Sequence, residues 1–404
     1  MMHKVSVVLG IRPDFIRTSK VLRLLKEHPD VEATLIHTGQ HYDRNLNGVF
    51  FEQLNVPRPD VQLNTRGATH CEQHSKLISG LGSILSQIKP DVCLFLGDAN
   101  ATIGCIAPLK MGIPIAHIEA GMRSYNWKMP EERNRVLIDR VSDILYVYQH
   151  DYKINLVKEG VDPTKIEVVG NVIVDVIEEH MDKVWWPSKK TPDFMSVHPP
   201  MENLTLSVGG VELERKKFAL MTLHRGEHMN DPELAQSIID QVGASSEELG
   251  VPVVLIEMPR LKSLELRYPD NFIVIPPLGF FEFVRLEKGA MIEFTDSGTN
   301  QEVSAILRTP CVVTREATER PETFDSGITF MANPANGNIA DAALFALQGT
   351  YNEDFSLGDG RSSERIVNNL VARLDKKMVY FDRIELGPNS PLYDAFKAKH
   401  FKVV

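Results

Sequence analysis

The chain has 404 residues, of which 43% are hydrophobic and 24% are charged. This length exceeds one typical hydrophobic core, so it predicts two domains of a globular protein. The formal net charge of −10 argues against a general nucleic-acid-binding protein, which is usually basic. No apolar run reaches the roughly 18 residues that cross a bilayer, so neither nucleic acid nor a membrane is an expected partner.

The first half of the chain alternates short apolar runs with helical patterns. Lys4–Gly10 has the composition of a buried strand, and Phe15–Leu25 that of the helix after it. Near-continuous apolar strands separated by helices are typical of a parallel sheet covered on both faces. The other strands predicted in this half are Glu32–Gly39, Asp91–Asp98, Ile113–Ala120, Ile144–Gln149 and Lys165–Gly170.

The alternation breaks over residues 185–217, which carry several prolines and the pair Gly209-Gly210 without a clear period. We interpret this stretch as a linker with a surface excursion. A second series then begins, with predicted strands at Phe218–His224, Val251–Met258, Phe272–Pro276, Met291–Ser297, Pro310–Arg315 and Ile328–Ala332.

These patterns predict two doubly wound α/β domains of similar size, one over residues 1–184 and the other over residues 218–380. The second ends near a helical piece at Ile366–Leu374, and residues 381–404 form an irregular tail. Ligands of such sheets bind beyond the carboxyl ends of the strands. The sequence therefore predicts a site in the cleft between the two domains.

The cysteines and the N-terminus indicate a reducing compartment. The sequence has no CxxC pair and no zinc-ligand spacing, so no metal site is expected. Cys93 and Cys311 lie in apolar runs and are expected to be buried thiols. Met1–Lys4 enter a strand-like segment directly, without the long apolar core of a signal peptide. Together these features predict a cytoplasmic protein without disulfide bonds.

Charged residues follow the first predicted strand. Gly10 allows a tight turn, and Pro13 and Asp14 suit a helix start. Arg12 and Arg17 would then lie near a helix N-terminus, which attracts phosphate. The alternative is a plain strand-to-helix turn with surface arginines. Neither a G-x-G-x-x-G pattern nor a Walker A lysine occurs here, which disfavours NAD and ATP.

Two further strand ends in this half carry carboxylates. Asp98 could cap the next helix, which is the plainer interpretation, or serve as a base. Glu119 shares a strand face with His117 and precedes Arg123 and a segment rich in both charges, residues 130–135. Acids and bases move protons and arginines hold phosphate, although Glu131 and Arg135 could also form an ordinary i, i+4 helix pair.

The second half repeats this arrangement. His224 follows an apolar strand and precedes Arg225, and histidine is the usual proton carrier near neutral pH. Asp296–Glu302 is a small-residue turn that could cradle a diphosphate with its backbone N–H groups, or simply cap a helix. Thr314–Glu322 is a dense charged loop after a strand. Charged residues therefore end strands in both halves.

At this point the chain resembles the non-hydrolysing UDP-N-acetylglucosamine 2-epimerase family. The ordered series of motifs is far more specific than any one of them. Its members are Gly10–Asp14 against G-T-R-P-E, Thr38–His41 against T-G-Q-H, Gly97-Asp98, His117–Arg123 against H-x-E-A-G-x-R, Pro130–Arg135 against P-E-E-x-N-R, His224-Arg225, Thr295–Gly298 and Glu319–Glu322.

The resemblance implies two facing Rossmann-like domains of the GT-B type, with the active site in the interdomain cleft. It also implies inversion at C2 of a UDP-linked 2-acetamido sugar, by elimination and re-addition of UDP through a glycal. The resemblance implies a homodimer, and it implies no cofactor and no metal. Carried over by position, the catalytic residues are Asp98, Glu119, Glu131 and His224, and the substrate-binding residues are Arg12, Asp14, Arg17, Arg135, Ser297, Gly298, Thr299 and Glu302.

Several positions depart from the family pattern. Asp14 replaces the usual Glu, Val303 replaces a carboxylate expected at the ribose, and Met258 replaces a His. Thr299 and the Tyr42-Asp43 pair are similar to members that act on 6-deoxy acetamido sugars or diacetamido uronates. The sugar therefore stays open, as does activation by substrate at a second site.

Two alternatives to this activity stay open. One is hydrolysis of the same substrate to free sugar and UDP, against which the Pro130–Arg135 segment argues. The other is a GT-B glycosyltransferase or a non-catalytic nucleotide-sugar binding protein, which the replacements Met258 and Val303 motivate.

Overall fold

A computed structural model describes residues 2–39, 53–184, 205–208 and 211–377. The predictions for Gln40–Asp43, for most of the linker and for the tail over residues 381–404 lie outside this part of the chain. Within the described residues, every helix is too short or too polar to cross a bilayer.

The first domain contains a seven-stranded sheet in which all strands run parallel. Its spatial order is β3-β2-β1-β4-β5-β6-β7, so the chain reverses its direction of winding between β1 and β4. This reversal confirms the predicted doubly wound topology. The strands are β1 His3–Leu9, β2 Val31–His37, β3 Val61–Gln62, β4 Val92–Leu96, β5 Ile115–Ile118, β6 Ile144–Val147 and β7 Ile166–Val168.

Helices cover this sheet. The one helix predicted over Phe15–Leu25 is in fact two, which meet at Thr18, where the hydroxyl donates to the carbonyl of Asp14 at 2.6 Å. The helices are α1 Arg12–Arg17, α2 Ser19–Glu27, α3 His70–Ile88, α4 Ile106–Met111, α5 Pro130–Val141, α6 His150–Lys158, α7 Val172–Glu179 and α8 Met181–Val184, with 3₁₀ turns at Asn100–Cys105 and Pro163–Lys165.

Part of the predicted linker is ordered as an antiparallel hairpin of β8 (Thr205–Val208) and β9 (Val211–Glu214). The sequence carried a signal for it, because Gly209-Gly210 separates two short apolar alternations, a known hairpin pattern. Leu213 is buried against Phe218 and Leu220, so this residue of β9 packs on the second domain.

The second domain contains a six-stranded parallel sheet in the order β12-β11-β10-β13-β14-β15, again with a reversal at its centre. The predicted strands are confirmed, and Cys93 and Cys311 are buried thiols as expected. The strands are β10 Ala219–Thr222, β11 Val253–Ile256, β12 Phe272–Ile275, β13 Ile292–Thr295, β14 Cys311–Val313 and β15 Thr329–Met331.

The last described helix does not stay with the second domain, where its sequence position had placed it. Ile366 and Leu370 belong to the apolar core of the first domain, and the backbone N–H groups of Ser362 and Ser363 donate to the Asp175 carboxylate at 3.1 and 2.6 Å. The helices of this half are α9 Gly226–Met229, α10 Pro232–Glu248, α11 Pro259–Lys262, α12 Phe280–Gly289, α13 Gly298–Leu307, α14 Ile339–Gln348 and α15 Ser362–Asp375, with 3₁₀ turns at Pro321–Ser326 and Pro334–Asn336.

Candidate active site

The carboxyl edge of the first sheet ends in two tight turns. Gly97 follows β4 with φ of +70°, and Glu119 follows β5 with φ of +72°. A left-handed conformation is natural for glycine, but for glutamate it costs about 1–3 kcal/mol and persists only where the surroundings impose it. The left-handed backbone at Glu119 is therefore held by its surroundings, which makes this turn a candidate functional position.

Glu119 is fully buried and is surrounded by guanidinium groups. Arg17 forms an ion pair with one carboxylate oxygen, and Nη2 of Arg135 and of Arg320 lie 2.9 and 3.4 Å from the other. The Tyr148 hydroxyl lies 3.4 Å from the oxygen that Arg17 contacts. Burial opposes ionisation, but the three arginine charges outweigh it and lower the pKa of Glu119 to about 2. Glu119 is therefore a fixed negative charge.

Asp98 pairs with the same arginine as Glu119. Its carboxylate contacts Nη2 of Arg135, so one guanidinium nitrogen bridges the ends of β4 and β5. The capping interpretation of Asp98 is wrong, because the 3₁₀ turn that follows begins at Asn100 and Ala99 occupies its capping position. The Asp98 side chain retains 18% of its exposure, so it reaches the cleft while Glu119 does not.

Glu131 lies in the first turn of α5. Its carboxylate is 3.6 Å from the guanidinium of Arg225, which belongs to the second domain. Arg135, its expected i, i+4 partner, turns instead to Asp98 and Glu119. Glu131 is 35% exposed and therefore borders the cleft on the side of the first domain.

Asp296 organises the facing edge of the second domain. Its buried carboxylate accepts hydrogen bonds from the backbone N–H groups of His224 and Arg225. It also contacts Nδ1 of His224 at 3.1 Å and Nδ1 of His228 at 2.9 Å. Burial raises the pKa of Asp296, but the two histidines outweigh it and hold that pKa well below its usual range. The His224 imidazole is thus oriented by a carboxylate, and its side chain is 43% exposed, which suits a proton-transfer group.

The predicted phosphate turn lies beside His224. Ser297 caps α13 by accepting from the backbone N–H of Asn300 at 3.4 Å. A side chain at Gly298 would collide with the Arg320 guanidinium, so only glycine lets this arginine lie against the start of the helix. Thr299 follows in the first turn and is half-buried. A helix N-terminus and an arginine therefore converge at one point, which favours anion binding.

Arg320 joins the two domains. Its Nε lies 2.9 Å from the Glu302 carboxylate, and its other nitrogens contact Glu119 and Glu319. Asn171 of the first domain donates to the same oxygen of Glu302 at 2.9 Å. Burial is the main reason that the pKa of Glu302 is raised, although Arg320 opposes it. Glu302 is thus fully buried within the interdomain contact.

The residues predicted near α1 also differ from one another in burial and in contacts. Arg17 ends α1 rather than starting it, and its guanidinium contacts Glu119 and Asp14. Asp14 is buried and accepts from the N–H groups of Gly10 and Ile11. Burial raises the pKa of Asp14 to about 6, against the charge of Arg17. Arg12 is half-buried at the helix start.

Several site residues were not among the predicted ones, although the sequence placed most of them in charged segments. Arg225 pairs with Glu319 at 2.9 Å, and Arg315 pairs with the same carboxylate at 3.1 Å. A dense charged loop after a strand was the available signal, but spacing alone did not say which members face the cleft. The site residues to which the sequence assigned no individual role are Tyr148, Arg225, His228, Asp296, Arg315, Glu319 and Arg320.

The matches to known proteins cover most of the chain. The family described as UDP-N-acetylglucosamine 2-epimerase matches residues 23–371. A UDP-N-acetylglucosamine 2-epimerase of Methanocaldococcus jannaschii is 35% identical over 377 residues, which cover 91% of this chain and 99% of the relative. A UDP-2,3-diacetamido-2,3-dideoxy-D-glucuronate 2-epimerase of Pseudomonas aeruginosa is 34% identical over 374 residues, with coverage of 91% and 99%.

The likeness extends to the arrangement of the two domains. A crystal structure of the Methanocaldococcus jannaschii UDP-GlcNAc 2-epimerase in complex with UDP-GlcNAc and UDP has a TM-score of 0.81 to this structure. The two chains are 34% identical, and the match covers 91% of this chain and 99% of the other. The sequence motifs, the two parallel sheets and the charged cleft thus agree: the chain belongs to the UDP-N-acetylglucosamine 2-epimerase family.

Proposed function

We propose that this protein is a non-hydrolysing epimerase that inverts C2 of a UDP-linked 2-acetamido sugar. The observation that carries the proposal is the set of charges across the cleft. Asp98 and Glu131 border it from the first domain, and His224, held by Asp296, borders it from the second. Carboxylates and an imidazole around one space can move a proton and assist a leaving group.

Elimination of UDP requires positive charge at the diphosphate. We assign that role to the start of α13 at Ser297, Gly298 and Thr299, to His224, and to Arg12. The N–H groups of a helix N-terminus and nearby guanidinium groups stabilise charge that develops on a departing phosphate. Arg17 and Arg135 act through Glu119 and Asp98, because their guanidinium groups contact those carboxylates.

The carboxylates divide by exposure. The partly exposed Asp98 and Glu131 are the candidates for removing and returning the C2 proton. Glu119 is fully buried and ionised, so we assign it charge handling: it fixes the arginines that shape the cleft. Asp14 and Glu302 are also buried, and we assign them support of α1 and of Arg320.

The sugar is the finer part of the proposal. The relatives include an enzyme named for UDP-N-acetylglucosamine and one named for a diacetamido glucuronate, at 35% and 34% identity, so identity does not separate the two. Val303 and Met258 are replacements in this chain relative to the family pattern. A substrate panel is therefore needed to identify the sugar.

The deciding experiment is incubation with UDP-GlcNAc, its 6-deoxy analogue and the diacetamido uronate in deuterated water, followed by NMR. We expect inversion at C2 with deuterium incorporated there, and UDP retained in the product at equilibrium. UDP released in step with free sugar would instead indicate hydrolysis. Turnover that needs an added acceptor would indicate a glycosyltransferase. Binding of the panel without exchange or inversion would contradict the epimerase.

We also propose a homodimer in the cytoplasm. The family resemblance supports the dimer, and the free state of all four cysteines supports a reducing compartment. Light scattering of the purified protein tests the oligomeric state, and a monomer at micromolar concentration would contradict the proposal.

A further inference from the structure

A buried histidine lies directly beneath the two turns that carry Asp98 and Glu119. His117 in β5 is fully buried. Its Nδ1 lies 2.7 Å from Oδ1 of Asp139, and its Nε2 lies 2.8 Å from the carbonyl oxygen of Gly97. Both ring nitrogens are therefore engaged within the protein, and neither reaches the cleft.

The partners of His117 dictate where its protons are. A backbone carbonyl only accepts, so Nε2 must donate to Gly97. The Asp139 carboxylate already accepts from the Arg123 guanidinium at 2.8 Å and from the N–H of Gly121 at 3.1 Å. Both of these donors meet Oδ2, and one of them is a guanidinium, so they favour the ionised carboxylate. Oδ1 of an ionised carboxylate only accepts, so Nδ1 donates to it as well. A ring that donates from both nitrogens is a cation.

The surrounding charges agree with this assignment. Arg123 pairs with both Asp139 and Glu159, and the contact with Glu159 is bidentate at 2.8 and 2.9 Å. If His117 were neutral, the cluster of His117, Arg123, Asp139 and Glu159 would hold two negative charges and one positive charge. With a charged ring its formal charges sum to zero, which is the arrangement that burial favours. Arg17 and Glu119, on the other side of Gly97, are paired with one another.

We propose that His117 is a doubly protonated positioning residue whose two N–H groups hold the turns at Asp98 and Glu119 at a fixed distance from each other. This inference rests on the proposed function, because those carboxylates matter only if they act on a substrate. One N–H holds the carbonyl of Gly97, the residue before Asp98. The other holds Asp139, which in turn holds the N–H of Gly121, two residues after Glu119.

The turn that carries Glu119 is conformationally unusual, which explains why it needs such a clamp. Gly97 and Gly121 have φ of +70° and +77°, and Glu119 between them along the sheet edge has φ of +72°. A side chain at Gly121 would collide with the carbonyl oxygen of Tyr152. Because a left-handed non-glycine residue such as Glu119 persists only where contacts fix it, the charged ring and Asp139 set the spacing of the two carboxylates.

Neutron diffraction from deuterated crystals of the wild-type protein near neutral pH tests the charge state directly. We expect deuterium on both Nδ1 and Nε2 of His117. A ring with one bare nitrogen would overturn the proposal. This measurement is independent of activity, so its failure is distinguishable from failure of the epimerase assignment, and it does not depend on whether a variant folds.

The positioning role is tested by His117→Gln, whose amide can retain the bond to the Gly97 carbonyl but carries no charge. We expect kcat for C2 inversion to fall about 100-fold, as for small misplacements of catalytic groups, with KM close to the wild-type value. The control is His3→Gln, since His3 pairs with Asp375 at 2.7 Å at the opposite edge of the same sheet. Unchanged kcat in His117→Gln, or an equal fall in the control, would overturn the role.

Discussion

Fully buried carboxyl groups in two regions of this molecule have pKa values shifted in opposite directions. Glu119, buried beneath the cleft, has its pKa lowered to about 2, whereas Glu293, beside Asn300 of α13, has its pKa raised to about 7 by burial. Burial and next the neighbouring Glu293 raise the pKa of Glu287 well above its usual range. Equal burial therefore gives opposite charge states.

The difference lies in the partners. Glu119 contacts Arg17, Arg135 and Arg320. Glu293 instead accepts from the Asn300 amide at 3.1 Å and interacts with Glu287, and within the described part of the chain no arginine contributes to the pKa of either acid. A buried carboxylate without a cation protonates. The arginines therefore keep Glu119 charged despite the cost of desolvation, whereas the acid pair of Glu287 and Glu293 in the core nearby is kept neutral.

The largest effect should come from removing the charge of Glu119. We expect Glu119→Gln to abolish turnover and to lower the free energy of unfolding by about 3–5 kcal/mol, because three buried arginines lose a counter-charge that they share. UDP binding should stay measurable, since the start of α13 is intact. Deuterium exchange at C2 and calorimetry with UDP check the two expectations.

The matched control for this variant is Glu132→Gln. Glu132 is also buried, but it accepts from the N–H groups of Ser124 and Tyr125 rather than from an arginine. We expect it to retain turnover. Near-normal activity in Glu119→Gln, or equal losses in both variants, would contradict the role assigned to Glu119.

The sequence predicted which strand ends carry the site residues, but it did not predict which of their side chains contact one another. Asp98, Glu119 and His224 each follow an apolar strand, and because parallel strands end at one edge, their meeting at the cleft followed from the pattern. The contact of Arg320 with Glu119 did not, because it depends on how two domains pack. The same holds for Asp296, whose partners include the N–H groups of His224 and Arg225 from another strand end.

Local chain chemistry explains the other differences. The sequence periodicity of the first helix runs through Thr18, but the Thr18 hydroxyl bonds the Asp14 carbonyl at the point where α1 ends and α2 begins. Such bonds bend helices. The helix α15 was predicted, yet its docking on the first domain depends on Asp175 and an apolar face of that domain. Periodicity identifies an amphipathic helix and its apolar side without naming the surface that covers it.

The neutral acid pair provides a test of intermediate size. The folded pKa of Glu293 is about 7, above the ordinary value of 4.5, so the folded state binds more protons than the unfolded state between these two pH values. Stability should therefore fall as the pH rises from 4.5 to about 7. We expect Glu293→Gln to weaken this dependence and to raise the free energy of unfolding above pH 7 by up to about 3 kcal/mol.

Urea unfolding of both proteins across this pH range measures the effect. The matched control is Glu119→Gln, for which the sign is reversed. The low pKa of Glu119 contributes stability above pH 4.5 that is lost as the pH falls toward 2. A Glu293→Gln protein with the same pH dependence as the wild type would contradict the neutral pair.

The smallest effect should come from Tyr148→Phe, which separates charge from hydrogen bonding at Glu119. The hydroxyl is 3.4 Å from the carboxylate, near the limit for a hydrogen bond, and burial raises the pKa of Tyr148 well above its usual range, so the phenol stays neutral. Removing it leaves all three guanidinium contacts. We therefore expect a loss of less than about 1.5 kcal/mol in unfolding free energy and little change in kcat. If kcat fell as far as in Glu119→Gln, the function of Glu119 would depend on the hydrogen bond from the phenol rather than on the arginine charges.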